Sequence, residues 1–192
     1  MLENRVASFV SKSKKLYWII FIVSIFGLGV GVYRFSQKAN TIVVYNAQRD
    51  RDSVLRIFDK NWYWLSSETK QEGYRPEYRF DNLASSANPA IAKPLHAYVY
   101  HFDNKTIGFV TYYKENFFKG KILYLGVDQD YRKRGFAYEL LDFAVHKLKS
   151  MGCSEVGLVV RANNPRAQGL YKKFGFKEVQ EEDGFVDFVY KV

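Results

Sequence analysis

The chain has 192 residues, of which 47% are hydrophobic and 18% aromatic, and carries a formal net charge of +9. The residues up to 41 hold six basic side chains against one acidic, so five of the nine excess charges sit there; the remainder has no long basic run and does not read as a nucleic-acid binder. The single cysteine, Cys153, excludes an internal disulfide framework, and His96, His101 and His146 show no metal-ligand spacing with it or with each other.

Residues 1–15 form a basic tail. The run Leu16 to Tyr33 is then uninterrupted and uncharged, bounded by Lys14-Lys15 and Arg34. Eighteen helical residues rise roughly 27 Å, close to the ~30 Å hydrocarbon core, with Tyr17, Trp18 and Tyr33 at the interfaces. The run is expected to be one transmembrane helix, and a lipid bilayer one partner. No small-residue cleavage site comes after it, which argues against a signal peptide. Gly27-x-x-x-Gly31 inside the run is the pattern of a helix-pair face, a weak pointer to a homodimer. Residues 34–41 are a connector, and 42–192 have the size of one domain.

Within that domain, Thr41 to Asn46 reads as a first strand. Asp50 or Asp52 is expected to cap a helix carrying Val54, Phe58, Trp62 and Leu65. Ser66 to Pro94 predicts loops and a short helix. Leu95 to Phe102 and Thr106 to Tyr113 read as a hairpin around Asp103-Asn104-Lys105, with Lys121 to Val127 next after a turn at Phe118-Lys119-Gly120. Phe136 to Met151 is an amphipathic helix with Ala137, Leu140, Leu141, Ala144, Leu148 and Met151 on one stripe, closed by Gly152. Glu155 to Val160 is a strand. Asn164 caps a last helix with Pro165 at its first position and Ala167, Leu170, Tyr171 and Phe174 inward, ended by Gly175. Two final strands, Phe176 to Val179 and Phe185 to Tyr190, flank Asp183-Gly184.

One junction points to chemistry. Arg132-Lys133-Arg134-Gly135-Phe136-Ala137 comes directly after the strand ending at Val127 and opens the amphipathic helix, so unpaired backbone N–H groups and the positive helix end converge on one point, a setting for phosphate. It is neither a P-loop nor a dinucleotide fingerprint. About thirty residues on come Asn164-Pro165-Arg166-Ala167 and Tyr171-x-x-x-Gly175-Phe176.

With this order and spacing, the last half of the chain resembles the GNAT superfamily of acyl-CoA-dependent N-acetyltransferases. The resemblance implies an α/β fold with a GNAT-type mixed, mostly antiparallel twisted sheet flanked by helices, here preceded by the transmembrane helix. It implies acetyl-CoA as cosubstrate, an amine acceptor, and no metal. By the same resemblance Arg132, Lys133, Arg134, Gly135, Phe136 and Ala137 hold the pyrophosphate, while Leu125, Val127 and Asn164 contact the pantetheine arm. The Val127 amide polarises the thioester carbonyl, and Tyr171 is the general acid to the departing thiolate. Gly126 is expected at a bulge that splays this strand.

The chain departs from the family at the base: Lys121 and Val159 stand where many members carry Glu, leaving Tyr124, Asp128 and Glu115 as candidates. The competing reading is a membrane-tethered acyl-CoA-binding or scaffold protein on the same fold without turnover. Orientation divides two arguments. Four cations before the span against two after favour a cytoplasmic N-terminus, whereas the cytosolic supply of acetyl-CoA and the lone thiol favour a cytoplasmic catalytic domain; the domain is expected on the cytoplasmic side.

Overall fold

The first strand, β1 (Thr41–Val44), is a β-branched run, and the chain turns from it into a helix at Asn46. The computed structural model describes residues 40–66 and 75–192. The expected span at 16–33 and its Gly27/Gly31 pair lie outside those residues; among the described residues no helix is long and apolar enough to cross a membrane.

Asn46, not Asp50 or Asp52, caps α1 (Ala47–Asp59), its side chain accepting from the Arg49 amide. Asp50 instead lies one turn in and is fully buried, where it accepts from the Asn46 amide at 2.9 Å, Thr106 Oγ1 at 2.9 Å and Arg49, and meets His101 Nε2 at 2.9 Å. A carboxylate able to tie α1 to the strands behind it is worth more there than as an exposed cap. The periodic run expected through Leu65 also breaks. Asn61, at φ −126° and ψ 9°, separates α1 from the single-turn α2 (Trp62–Leu65). The short helix expected further on is α3 (Pro76–Asn82).

β2 (His96–Phe102) and β3 (Lys105–Lys114) form the predicted hairpin, with Asp103 and Asn104 both at positive φ. Next in the chain are β4 (Lys119–Val127), α4 (Phe136–Ser150), β5 (Glu155–Arg161), α5 (Pro165–Phe174), β6 (Lys177–Glu182) and β7 (Phe185–Lys191). They build a seven-stranded sheet in the order β1-β2-β3-β4-β5-β7-β6, in which only β4 and β5 run parallel.

Alternation along the strands supplies a core on each face. Val110, Tyr112, Ile122, Val156 and Phe188 pack with Leu140, Leu141, Ala144 and Leu148 of α4 and Tyr171 of α5. Phe109 and Tyr124 pack on the opposite face with Val54, Ile57 and Phe58 of α1 and Phe80 of α3. Helices therefore cover both faces, and the parallel pair lies between them.

Candidate active site

The site begins where the sheet comes apart. β4 pairs with β5 only at Lys119↔Glu155, Gly120↔Val156 and Lys121↔Gly157, although β3 accompanies β4 to Val127 and β7 accompanies β5 to Arg161. The β3–β4 register slips at Leu123, which stands as the extra residue between Tyr124↔Thr111 and Ile122↔Tyr112. The bulge is thus at Leu123 and not at Gly126. A Cβ on Gly126 would lie 2.8 Å from Phe109 Cε1, so that glycine admits a ring of the opposite core and leaves the ladder regular.

Strand polarity then fixes which backbone groups are free. The Asp128 amide donates to Ile107 O at 2.8 Å and the Tyr124 amide to Thr111 Oγ1 at 3.1 Å, both toward β3. By alternation Leu125 and Val127 turn their N–H and C=O the other way, into the gap. Arg132 Nε donates to the Val127 carbonyl at 3.2 Å, which leaves the Val127 N–H facing the opening.

Past Val127 a 3₁₀ turn, Gln129–Tyr131, brings the chain to the basic junction. Lys133 (φ 61°) and Gly135 (φ 90°) both adopt left-handed backbone, and no side chain caps α4. The first bond of that helix is Glu139 N to Gly135 O at 3.1 Å, so the amides of Lys133 to Tyr138 have no acceptor among the described residues. A Cβ on Gly135 would meet nothing within 4 Å, so the space in front of these amides is open. A row of free amides at a helix start is the geometry that receives an anion.

A cleft of about 680 Å³ gathers these groups: Leu125, Val127, Arg132, Lys133, Gly135, Phe136, Ala137, Asn164 and Tyr171 all line it. Arg134 does not; its guanidinium stacks on Tyr131 at 5.4 Å. Arg132 lines the cleft yet turns its side chain inward, donating to Val127 O and to Asn61 Oδ1, and burial, then the nearby Arg166, lowers its pKa. Asn164 is buried, and its Oδ1 accepts from the Ala167 amide at 3.2 Å, so it caps α5 at the cleft wall. Tyr171 packs against Phe176 and Phe188, and its hydroxyl makes no hydrogen bond among the described residues. Burial pushes its pKa up to about 12, so the phenol keeps its proton near neutral pH.

The family model described as "Acetyltransferase (GNAT) family" matches residues 54–176, more than half of the chain. The chain belongs to the GNAT acetyltransferase family. An acetyltransferase of Yersinia pestis (strain Pestoides F) is 39% identical over 59 residues, 31% of this chain and 42% of the relative, so the matched stretch spans less than half of that protein. Among solved structures, a GNAT family acetyltransferase from Elizabethkingia anophelis with acetyl-CoA bound is similar over 81% of this chain and 100% of its own, with a TM-score of 0.59 and 14% identity. The PaiA N-acetyltransferase of Thermoplasma acidophilum in complex with coenzyme A is similar over 80% and 99%, with a TM-score of 0.61 and 18% identity. At these identities the structures establish the fold alone.

The GNAT frame places the remaining candidates. Tyr124 is buried edge-on against Phe58, and Glu115 lies at the far end of β4 beside the β3–β4 turn. Burial acts to raise the Asp128 pKa, but Arg56 Nη1 at 2.7 Å and the Asp130 amide hold it below the ordinary carboxylate value. None of the three lines the cleft. Lys121 belongs to the paired end of β4, while Val159 is 44% exposed and lines the opening. Among the described lining residues Glu139 alone carries a carboxylate, and it accepts from the Tyr100 hydroxyl at 2.8 Å. Among the described residues no group of His, Cys, Asp and Glu could hold a metal.

Sequence reading missed Arg166 and Lys173, which line the cleft seven residues apart on the Leu170 face of α5, a helical spacing that was available. It also missed Asn61, buried at the break between α1 and α2, which no periodicity marks. Trp64 and Leu65 of α2 also line the cleft. Tyr63 is held by the stacked Arg161 guanidinium at 4.2 Å and by Asn163 Nδ2 at 2.9 Å.

Proposed function

We propose that this chain transfers the acetyl group of acetyl-CoA to a primary amine. The observation that carries the reading is the meeting, in one cleft, of the β4 edge left open by the parting of the parallel strands, the amide cradle at α4 and the Tyr171 hydroxyl. Pyrophosphate would sit on the amides of 133–138, with Lys133, Arg166 and Lys173 supplying positive charge. The pantetheine arm would add to β4 like a strand, pairing with Leu125 and Val127 and touching Asn164. The Val127 N–H would receive the thioester oxygen as charge develops on it. The amine attacks the carbonyl carbon, the C–S bond breaks, and Tyr171 protonates the leaving thiolate.

The lining residues at the acceptor end, Asn61, Trp64, Leu65, Leu123 and Val159, are uncharged. An amine entering there is desolvated, which lowers its pKa and favours the nucleophilic neutral form. Lys121 and Val159, standing where relatives of this kind carry Glu, also support a second reading, an acyl-CoA-binding protein without turnover. Calorimetric titration with acetyl-CoA, then thiol release against a panel of amines, separates the two: binding without release on any amine favours the second, and no binding overturns both.

The placement of the domain is read from the sequence. We propose that the 16–33 run anchors the protein by one span, with residues 42–192 on the cytoplasmic side where acetyl-CoA is supplied. An Asn40→Cys variant should resist a membrane-impermeant thiol reagent in intact cells and react after permeabilisation. Labelling without permeabilisation reverses the orientation.

A further inference from the structure

The β3–β4 turn carries the most exposed aromatic pair in the described part of the chain. Phe117 is 74% and Phe118 63% exposed, with their rings edge to face at 5.1 Å. Their exposure is built in. Asn116 Oδ1 accepts from the Phe118 amide at 3.0 Å and the Lys119 amide at 2.9 Å, and Glu115 N donates to Lys119 O at 2.9 Å. The Phe118 carbonyl accepts from the amides of Ser154 and Glu155, fixing the turn to the start of β5. The backbone of the turn is thus held in place while the two rings at its apex stand in solvent.

The surroundings are basic. Lys114 lies 5.1 Å from the Phe117 ring and donates to Met151 O at the end of α4, beside Lys149 in its last turn. Lys119 and Lys121 come just after the apex, and of the two nearby acids Glu155 is taken up by Lys119 at 3.1 Å. Exposed rings on a lysine-bearing turn match a headgroup layer, where rings sit at the acyl boundary and cations face anionic lipid.

We propose that the β3–β4 apex is a bilayer-docking surface, inserting Phe117 and Phe118 among the headgroups of an anionic membrane. The apex is at the opposite end of β4 from Val127 and the amide cradle, about 30 Å away for nine extended residues, so docking leaves the cleft mouth clear. Docking at the apex requires neither acetyl transfer nor the 16–33 run.

The test probes the apex itself, in the full chain mixed with phosphatidylcholine vesicles with or without phosphatidylserine. In a Phe117→Trp variant, the emission added relative to the unsubstituted chain should shift to the blue and be quenched by brominated lipid in the anionic vesicles. Lys119→Gln with Lys149→Gln should weaken that quenching about tenfold in the lipid concentration needed. A Phe117→Ser/Phe118→Ser chain with unchanged melting should leave acetyl-CoA affinity unaltered and show, relative to the parent chain, a weaker anionic-lipid dependence of a dansyl-lipid transfer signal. An added tryptophan that stays unquenched and solvent-like on anionic vesicles overturns the proposal. A blue shift that grows with protein concentration without lipid overturns it in favour of a second copy.

Discussion

From Lys119 to Lys121, β4 lies in register beside β5, with Lys119 bonded to Glu155 and Gly120 pressed against Leu148 of α4. From Leu123 to Val127 the same strand has β3 on one side and open cleft on the other. Two features separate these ends: the inserted residue Leu123, and the basic turn beyond Val127, whose Arg132 binds the Val127 carbonyl and Asn61 in place of any partner on β5. Closing the paired end gives the strands a fixed hinge. Leaving the other end unpaired costs ladder hydrogen bonds, about 1 kcal/mol each net, and turns those groups toward the open cleft.

The largest expected effect is at the open end. Tyr171→Phe keeps the ring that packs on Phe176 and Phe188 and removes the hydroxyl, so kcat should fall roughly 10²-fold with acetyl-CoA affinity nearly unchanged. Turnover within twofold of the parent would make Tyr171 a packing residue only. The paired end should answer in stability. A Cβ on Gly120 would stand 2.5 Å from Leu148 Cδ2, and Leu148 is fully buried with nowhere to move. Gly120→Ala should therefore cost about 2 kcal/mol in denaturant unfolding. A stability change under about 0.5 kcal/mol, the range of an ordinary surface substitution, would mean that Leu148 of α4 is not packed tightly on this end of β4.

The two ends also differed in how far the sequence revealed them. Gly135, Gly152, Asn164-Pro165 and Gly175 announce helix ends through backbone rules, and α4, β5 and α5 fell within a residue or so of their predicted bounds. The free amides at the start of α4 were legible for the same reason, since a strand that turns into a helix leaves its first amides unpaired by local rules. The parting of β4 from β5 was implied only by resemblance, and Gly126 was misread because its lack of a side chain serves Phe109, which belongs to the neighbouring strand. Asp50 was likewise taken for a cap because its partners Thr106 and His101 come from distant strands. Long-range packing leaves no periodic trace.

A smaller effect should come from the cradle. Gly135→Ala puts a methyl group where nothing stands within 4 Å but where φ is 90°, so it adds backbone strain and crowds the approach of a phosphate without striking the protein. Acetyl-CoA should bind about tenfold more weakly by calorimetry, with a melting change smaller than that of Gly120→Ala. Equal affinity would show that the amides of 133–138 do not hold the pyrophosphate.

The smallest expected effect is a titration that stays out of the working range. A tyrosine at its ordinary pKa near 10 is half ionised at about pH 10, and an ionised phenol cannot protonate a thiolate. Burial pushes Tyr171 up to about 12, so at about pH 10 roughly one molecule in a hundred has lost the proton. The acceptor's kcat/KM should accordingly rise about tenfold per pH unit toward the pKa of the amine, with no acid-loss limb before about pH 10. The sign in stability is the same: a pKa raised by folding contributes fully below about pH 10 and is lost as pH climbs through about 12. A downturn in rate centred near about pH 9 to 10 that disappears in Tyr171→Phe would place the hydroxyl in water, and with it the open end of β4 in an ordinary solvated groove.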